Sequence, residues 1–157
     1  MTKQSSSPER RIMRLGSDRQ EAAVRLLQAA DVVRRRMSAT IEPYGVTIQQ
    51  YNVLRILRGA GEPLPILAIA ERMLEHTPGI TRLLDRIEAK GLVARVRNAK
   101  DRRVYHCSIT EAGLALLVSM DAAVDEVDEA AVGDLAPGEV SELLRMLKIV
   151  IKEKASE

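Results

Sequence analysis

Apolar residues recur at helical spacing along most of the chain, which predicts a mainly α-helical protein. The first apolar stripe, Ala30–Ile41, is typical of one face of a long amphipathic helix. This helix should begin near Ser17, because Ser17 and Gln20 have the spacing of a capping box. Pro43 and Gly45, neither of which favours a continuing helix, should end it.

Two shorter helices should follow, and each has a recognisable start. Thr47 and Gln50 form a second capping box, so we expect a helix from this point to the glycines that end at Gly61. A short third helix should run from Pro65 to about Leu74, because proline is favoured in the first turn of a helix. The sequence thus predicts two consecutive helices in this stretch.

A fourth helix has the clearest start signal in the chain. Thr77 has the residue type of an N-cap, and Pro78 stands where the first helical residue should be. Leucine and isoleucine recur at helical spacing over Ile80–Ile87, and Gly91 stands where a C-terminal glycine is expected. These signals predict a short amphipathic helix between Thr77 and Gly91.

The hydrophobic period changes after the fourth helix. The segments Leu92–Arg97 and Arg103–Ile109 show strand-like alternation and are separated by a polar turn, which predicts a β-hairpin. The alternation places Tyr105 and Cys107 on the same side as Ile109, so we expect this side to face the core. Cys107 is then a small buried apolar side chain rather than a sensor.

Two further helices complete the pattern, a long one capped by Thr110 and a last one that begins at Pro137. These helices and the first are too apolar on one face to be left in water, so we expect them to pack across a two-fold axis. The fold class is mainly α with a small β-hairpin wing: a winged helix-turn-helix domain plus long N- and C-terminal dimerisation helices. The predicted divisions are a disordered tail at 1–16, an N-terminal dimerisation helix at 17–45, the winged helix-turn-helix domain at 46–113 and C-terminal dimerisation helices at 114–157.

Three segments of the central region resemble the MarR family of bacterial winged-helix transcriptional regulators. They are Thr81–Val93 (TRLLDRIEAKGLV), Asp101–Arg103 (DRR) and Ile109–Gly113 (ITEAG), which occur in the family's order and at similar spacing. With the flanking helices, the resemblance covers about residues 18–154. It implies a homodimer that binds a palindromic DNA site and releases it when a small ligand or an oxidant is sensed. The redox-sensing branch has a reactive cysteine in the first helix region, which this chain lacks.

The fourth helix carries the first set of candidate DNA contacts. Its apolar stripe must face the core, so the opposite face is left for a partner. Small residues at its start would let the helix approach base edges, and an arginine there can pair with guanine or phosphate. A solvated amphipathic helix is the alternative, and Arg86 could instead pair with a neighbouring carboxylate. The candidate contacts are Thr77, Pro78, Gly79, Thr81, Arg82 and Arg86.

The hairpin is strongly basic, with Arg95 on its first strand and Asp101 as the acidic residue of its turn. A basic hairpin tip can enter the narrow, electronegative minor groove of A·T-rich DNA, although a solvated charge run is the alternative. The resemblance implies that Arg103 enters the groove. We expect Asp101 to orient an arginine or the turn by a charge-assisted hydrogen bond. The candidate wing contacts are Arg97, Lys100, Arg102 and Arg103.

An effector pocket is implied by the resemblance alone, between the dimerisation helices and the winged helix. Two interpretations of the residues expected there stay open: they line a pocket for a small-molecule effector, or they are core and dimer contacts, and we favour the second. The candidate lining residues are Arg34, Met37, Ile41, Tyr44, Tyr51 and Met120.

The charge is unevenly distributed along the chain. The net charge of +2 alone argues against a nucleic-acid partner, but residues 1–46 and 47–113 each carry +4 while residues 114–157 carry −6. The acidic C-terminal helices would then lie away from DNA and leave the DNA-binding face basic. The chain has no Phe or Trp and only three Tyr, which disfavours proteins that stack single-stranded bases on aromatic rings.

The sequence lacks the signals of several other classes of protein. It contains no phosphate-binding glycine loop, no zinc-hydrolase helix and no nucleophile elbow, so we expect no enzyme and no cofactor. Two His and one Cys do not make a tetrahedral metal site. The polar, basic N-terminus and the short apolar runs favour a soluble cytoplasmic protein that has no membrane partner.

These observations lead to one functional hypothesis. The protein is expected to be a homodimeric regulator, a repressor, that binds a palindromic operator in double-stranded DNA and is released by a small-molecule effector. The alternative is a winged-helix module that binds another protein and no DNA. The salt dependence of duplex binding distinguishes the two, because phosphate contacts weaken steeply as salt rises.

Overall fold

The computed structural model describes residues 16–97 and 105–151. Lys100, Asp101, Arg102 and Arg103 of the predicted wing, and most of the predicted N-terminal tail, lie outside the described residues. The fold class is confirmed, because the chain is mostly helical and carries a small antiparallel sheet. The elements are α1 (Asp18–Ile41), a 3-10 turn (Glu42–Tyr44), α2 (Ile48–Ala60), β1 (Leu64–Pro65), α3 (Ile66–Arg72), α4 (Ile80–Ala89), β2 (Val93–Arg97), β3 (Tyr105–Ile109), α5 (Glu111–Val132) and α6 (Pro137–Val150).

The chain divides into two units between Val32 and Val33. In the first unit, the side chain of Ser17 accepts a hydrogen bond from the Gln20 backbone N–H at 3.3 Å, as a helix cap does. Arg25 pairs with Glu21 one turn earlier at 3.3 Å. The elements described below belong to the second unit.

Helix α2 begins at the predicted capping box. The Thr47 hydroxyl accepts from the Gln50 N–H at 3.3 Å, and the Gln50 side chain accepts from the Thr47 N–H at 3.2 Å. The helix ends at Gly61, whose φ of 67° is in the left-handed region that favours glycine. Between these ends α2 contacts α3, α4, α5 and β3, which makes it the central helix of this unit.

The core forms where these elements meet α2. Its fully buried side chains come from the end of α1, from α2 to α5 and from β3, and almost all of them are branched aliphatic residues or methionine. Burial of each such side chain is worth roughly 1.5–3 kcal/mol, so the core fixes the relative positions of α2, α4 and α5. The largest of them are Ile41, Leu54, Leu57, Ile69, Leu84, Ile87, Leu117 and Met120.

The sheet has three strands, one more than the predicted hairpin. Strand β3 lies in the centre and pairs antiparallel with β2 on one side and β1 on the other. Leu64 of β1 lies opposite Cys107, and both side chains are buried. Because β1 takes Leu64 and Pro65, α3 begins at Ile66 rather than at Pro65 and ends at Arg72, short of Leu74. A strand of two residues is too short to show an alternating pattern.

The predicted start of the fourth helix is wrong. Helix α4 begins at Ile80 with Gly79 as its N-cap, so Thr77 and Pro78 precede the helix. Gly79 has φ of 81°, and this left-handed residue cannot belong to a right-handed helix that starts at Pro78. The Thr77 hydroxyl donates to the Glu75 carbonyl at 2.9 Å and caps nothing.

The predicted end of this helix is confirmed at Gly91. Its φ is 72°, and its N–H donates to the Glu88 carbonyl at 2.8 Å, while the Leu92 N–H donates to the Ile87 carbonyl at 3.2 Å. This pair of bonds is the Schellman motif, which turns the chain directly from α4 into β2.

The predicted burial of the last strand is confirmed only in part. Cys107 is fully buried and Ile109 is half-buried, but Tyr105 is 40% exposed. The strand alternates as expected, yet its first residue extends past the core. There Tyr105 lies opposite Arg97, whose guanidinium is 5.7 Å from the centre of the tyrosine ring.

Candidate nucleic-acid interface

Helix α4 presents two opposite faces. Leu83, Leu84 and Ile87 are buried against the core, whereas Arg82 and Arg86 are exposed. The two arginines are one helical turn apart, so their side chains follow the same face. The amphipathic pattern therefore fixes both guanidinium groups on the surface that the core does not use.

The position of α4 is also held at its C-terminal end. Lys90 donates from Nζ to the Gly45 carbonyl at 2.5 Å and to the Gln50 side chain at 3.0 Å. Gln50 is itself the capping residue of α2, so one cation joins the end of α4 to the start of α2. This contact and the buried leucines give α4 a defined orientation.

A concave surface that encloses a volume of about 390 Å³ lies at the start of α4. It brings together five of the six predicted contacts on this helix, while Thr81, which is also exposed, is outside the lining. It also adds Gln49, an exposed residue in the first turn of α2 that the sequence analysis missed. No local signal identifies Gln49, since only the packing of α2 against α4 places it there. The lining residues are Gln49, Thr77, Pro78, Gly79, Arg82, Leu83 and Arg86.

This surface carries uncompensated positive charge. Within the part of the chain that the structure describes, neither Arg82 nor Arg86 forms an ion pair. Gly79 supplies no side-chain cap, so the first N–H groups of α4 add the positive end of the helix dipole. Two guanidinium groups beside a helix N-terminus form a surface that attracts anions such as phosphate.

Arg95 is one of the basic residues of the hairpin, but its charge is opposed by carboxylates of α4. Its guanidinium forms a hydrogen-bonded ion pair with Asp85, and its Nε lies 3.6 Å from a carboxylate oxygen of Glu88. The hydrogen bond that the Arg95 guanidinium donates to the Asp85 carboxylate is the main reason that the pKa of Arg95 is raised. The charge of Arg95 is therefore neutralised within the fold, whereas Arg97 is exposed at the outer end of β2.

Five of the six candidate effector-pocket residues are part of the hydrophobic core. Ile41 and Met120 are fully buried, Tyr51 is 7% exposed, and Met37 and Tyr44 pack against the same cluster. Burial raises the pKa of the Tyr51 hydroxyl. The sixth residue, Arg34, lies at the surface with one guanidinium nitrogen 3.3 Å from Glu75. These positions match the core interpretation, and an effector site here stays a prediction.

Neither a metal centre nor a membrane-spanning helix is present in the described ranges 16–97 and 105–151. No group of three His, Cys, Asp or Glu side chains in these ranges could hold a metal ion. None of the described helices is long and apolar enough to cross a membrane. Cys107 is fully buried, and this burial raises the pKa of its thiol, which disfavours the reactive thiolate form.

Comparison with known proteins gives a consistent family. The MarR family model matches residues 44–104. The HTH-type transcriptional regulator MhqR of Bacillus subtilis is 32% identical over 127 residues, which cover 80% of this chain and 86% of that protein. The repressor MdtR of the same organism is 41% identical over 81 residues, but the match spans only about half (52%) of each chain.

A solved structure extends the same relationship to the fold. The MarR transcription factor from Planctomyces limnophilus is 36% identical, with a TM-score of 0.65 over 87% of this chain and 99% of that one. The chain therefore belongs to the MarR family of winged-helix transcriptional regulators.

Proposed function

We propose that the protein is a repressor that binds an inverted repeat in double-stranded DNA as a homodimer. The observation that carries the proposal is the exposed face of α4, where Arg82 and Arg86 have no ion-pair partner among the described residues and flank the start of the helix. A fold that leaves two unpaired guanidinium groups beside a helix N-terminus favours an anionic partner. The names of the relatives MdtR and MhqR support the same class of function.

In this proposal the first turns of α4 enter the major groove. The small residue Gly79 allows a close approach, Arg82 pairs with a guanine edge or a phosphate, and Thr81 contacts a thymine methyl group or a phosphate. Gln49 reaches the same groove from α2, and its amide can bond with a base or the backbone. Arg86, one turn further along α4, contacts the phosphates beside the groove.

The wing supplies the second set of contacts. Arg97 extends from the outer end of β2, and Lys100, Arg102 and Arg103 follow it along the chain. Their combined charge suits the narrow minor groove that flanks the major-groove site, with Asp101 holding an arginine or the turn in place. The division of the chain into a winged helix at 46–113 and dimerisation helices on either side belongs to the same proposal.

Helix α6 supports the homodimer. None of its residues is buried, although several of them are large and apolar. Leu144, Ile149 and Val150 are each more than half exposed, and Ile151 just beyond the helix is 67% exposed. An apolar helix of this kind is unfavourable in water and becomes stable when a second copy covers it. A dimer of this type places its two α4 helices in successive major grooves, ~34 Å apart.

The test begins with selection of bound sites from random duplexes, followed by fluorescence anisotropy on the selected duplex. Wild-type affinity should fall steeply between 50 and 200 mM salt, because bound phosphates release counterions. Arg82→Ala should weaken binding by about 1–3 kcal/mol. Arg145→Ala removes an exposed arginine from α6, where Arg145 pairs with Glu142, and should leave duplex binding unchanged. Absence of duplex binding at low salt would refute the proposal and favour the protein-interaction module.

The dimer and the inverted repeat have a separate readout. Light scattering on the purified protein should give twice the mass of one chain, which is 17.4 kDa. Selected sites should contain two half-sites about one helical turn apart. A monomeric mass together with a single half-site would contradict the two-fold part of the proposal and leave DNA binding itself intact.

We infer release by a small-molecule effector from the family resemblance. Because the predicted lining residues are packed in the core, a ligand would have to separate side chains such as Met120 and Tyr51. Arg34 already pairs with Glu75, so a small organic acid that binds Arg34 would have to displace that carboxylate. A thermal-shift screen of aromatic and aliphatic carboxylates tests this, and an effector should both raise Tm and weaken duplex binding. If none does both, effector release should be dropped.

A further inference from the structure

Three charged side chains connect the wing to α4. Arg95 on β2 forms a hydrogen-bonded ion pair with Asp85 of α4, and its Nε faces Glu88 at 3.6 Å. Glu88 also accepts a hydrogen bond from the Arg95 backbone N–H at 3.2 Å. Both the side chain and the backbone of the strand are thus held by α4. We name Asp85, Glu88 and Arg95 the wing clamp.

The place of Arg95 in the sheet is unusual for an arginine. Its partner in the strand register is Cys107, which is fully buried, and it lies two residues from buried Val93, on the same face of β2. Its side chain is only 26% exposed. A cation in such a partly desolvated position needs charged partners, and an ion pair there is stronger and more directional than one in open solvent. The clamp therefore restrains β2 against α4 more firmly than a surface pair would.

Asp85 also lies between the two arginines of the candidate DNA-binding face. Arg82 precedes it by three residues and Arg86 follows it directly, and the Asp85 side chain is about half exposed. An unpaired carboxylate here would repel phosphate. The ion pair with Arg95 neutralises it, so Asp85 remains compatible with an anionic partner while it holds the wing.

We propose that the wing clamp positions the wing relative to α4, and that Asp85 strengthens DNA binding through this positioning although its own charge opposes it. The inference rests on the proposed DNA-binding function. Asp85 and Arg95 are positioning residues, since they act on DNA through the placement of the wing and of Arg97. The proposal predicts an effect of opposite sign to that of simple charge removal.

The decisive variant is Asp85→Asn. If Asp85 acted only by its charge, its neutralisation beside DNA would tighten binding, because electrostatic repulsion would be lost. If it positions the wing, binding should instead weaken by about tenfold, the size expected for one lost specific contact. The slope of log affinity against log salt should also become shallower, since phosphates contacted by the wing are lost.

A matched control removes an acidic side chain without touching the clamp. Glu71 is exposed on α3 and forms no ion pair within the described residues, so Glu71→Gln should bind duplex as tightly as wild type or slightly more tightly. Circular dichroism melting keeps folding separate from positioning, because all titrations are run far below the lowest Tm. A variant that merely destabilises the fold keeps wild-type affinity under these conditions.

A second variant tests whether Arg95 and Asp85 act as a unit. Arg95→Gln should weaken binding at least as much as Asp85→Asn, because it also leaves the Asp85 carboxylate unpaired beside the DNA. The double variant should bind no more weakly than Arg95→Gln. If Arg95 contacted DNA directly, its loss would add to that of Asp85 in the double variant. Additive losses would therefore overturn the positioning role.

The experiment separates this inference from the proposed function. Wild type and Glu71→Gln that bind no duplex would refute DNA binding itself. Wild type that binds, with Asp85→Asn equal to it or tighter, would refute the wing clamp alone. Weaker binding by Asp85→Asn, with a shallower salt slope and an unchanged Glu71→Gln control, supports both.

Discussion

Gly113 stands where the first turn of α5 crosses the link between α4 and β2. A Cβ atom built at this position would lie 2.3 Å from the Leu92 carbonyl oxygen and 2.8 Å from a side-chain carbon of Ile109. The Leu92 carbonyl is backbone and already accepts a hydrogen bond from the Thr110 N–H at 3.1 Å, so it cannot move away freely. We predict that Gly113→Ala destabilises the protein, although the same change stabilises most helices.

Two opposing effects determine the size of this change. Replacing glycine by alanine inside a helix gains about 1 kcal/mol from propensity. Relieving the contact requires a shift of α5 or of the Leu92 turn, and overpacking of this kind costs about 1–3 kcal/mol. The shift also strains the Thr110 cap, whose hydroxyl accepts from the Gly113 N–H at 3.1 Å. The cost less the gain leaves about 0–2 kcal/mol, and the strained cap moves the expected loss to the upper half of this range, about 1–2 kcal/mol. This corresponds to a Tm lower by roughly 2–8 °C for a chain of this size.

Gly59→Ala provides the matched control. Gly59 lies within α2, and a Cβ there would meet no atom within 4 Å, so alanine should stabilise by about 0.4–1 kcal/mol. Urea unfolding of the two variants and wild type, followed by circular dichroism at one protein concentration, measures both signs together. A Gly113→Ala variant as stable as wild type would show that the α5 crossing is loose, and the steric reasoning would be refuted.

Three further outcomes are expected. Arg103→Ala should weaken operator binding by ~1–3 kcal/mol in fluorescence anisotropy, and wild-type affinity would remove this arginine from the interface. Arg58 of α2 donates to both carboxylate oxygens of Asp121 of α5, at 2.8 and 3.0 Å. A double-mutant cycle with alanine at both positions, measured by urea unfolding, should therefore give a coupling free energy of about 0.5–1 kcal/mol. A coupling near zero, or one insensitive to 1 M salt, would contradict a stabilising ion pair. Burial raises the pKa of Cys107, so above about pH 8.5 the unfolded chain loses a proton that the folded chain keeps, and stability should fall as pH rises. Urea unfolding at pH 8 and 9.5 measures this loss, and Cys107→Ala should reduce it; an equal loss in both proteins would assign it to other groups.

Features set by residues close together in the chain were predictable. The Thr47–Gln50 capping box, the Thr110 cap and the glycine turn at Gly91 all appear where the sequence placed them. Each depends on hydrogen bonds that span only a few residues, and the residue types that make them are few. The order of helices and the hairpin followed from these local signals, and so did the fold class.

The predicted start of α4 is wrong because the conformation of one glycine overrides the local start signal. Thr77 followed by Pro78 is a strong local start signal, but Gly79 can adopt a left-handed conformation that sequence alone does not reveal. Because Pro78 and Gly79 form a tight turn, α4 begins at Ile80, two residues later than predicted. The consequence is functional, since the turn leaves Thr77 and Pro78 beside the helix end as part of the concave surface rather than within the first turn of the helix.

Which arginines are available for a partner could not be predicted from charge counts. Residues 47–113 carry +4, but several cations of this segment are used within the fold: Arg58 pairs with Asp121, Lys90 joins α4 to α2, and Arg95 pairs with Asp85. These partners lie far apart in the chain or across the turn from α4 to β2, so spacing gives no sign of them. Once the internal pairs are set aside, the free charge that remains on α4 is concentrated at Arg82 and Arg86. The tertiary structure thus converts a modest net charge into a localised basic surface, and the position of that surface, rather than its total charge, is what favours a nucleic-acid partner.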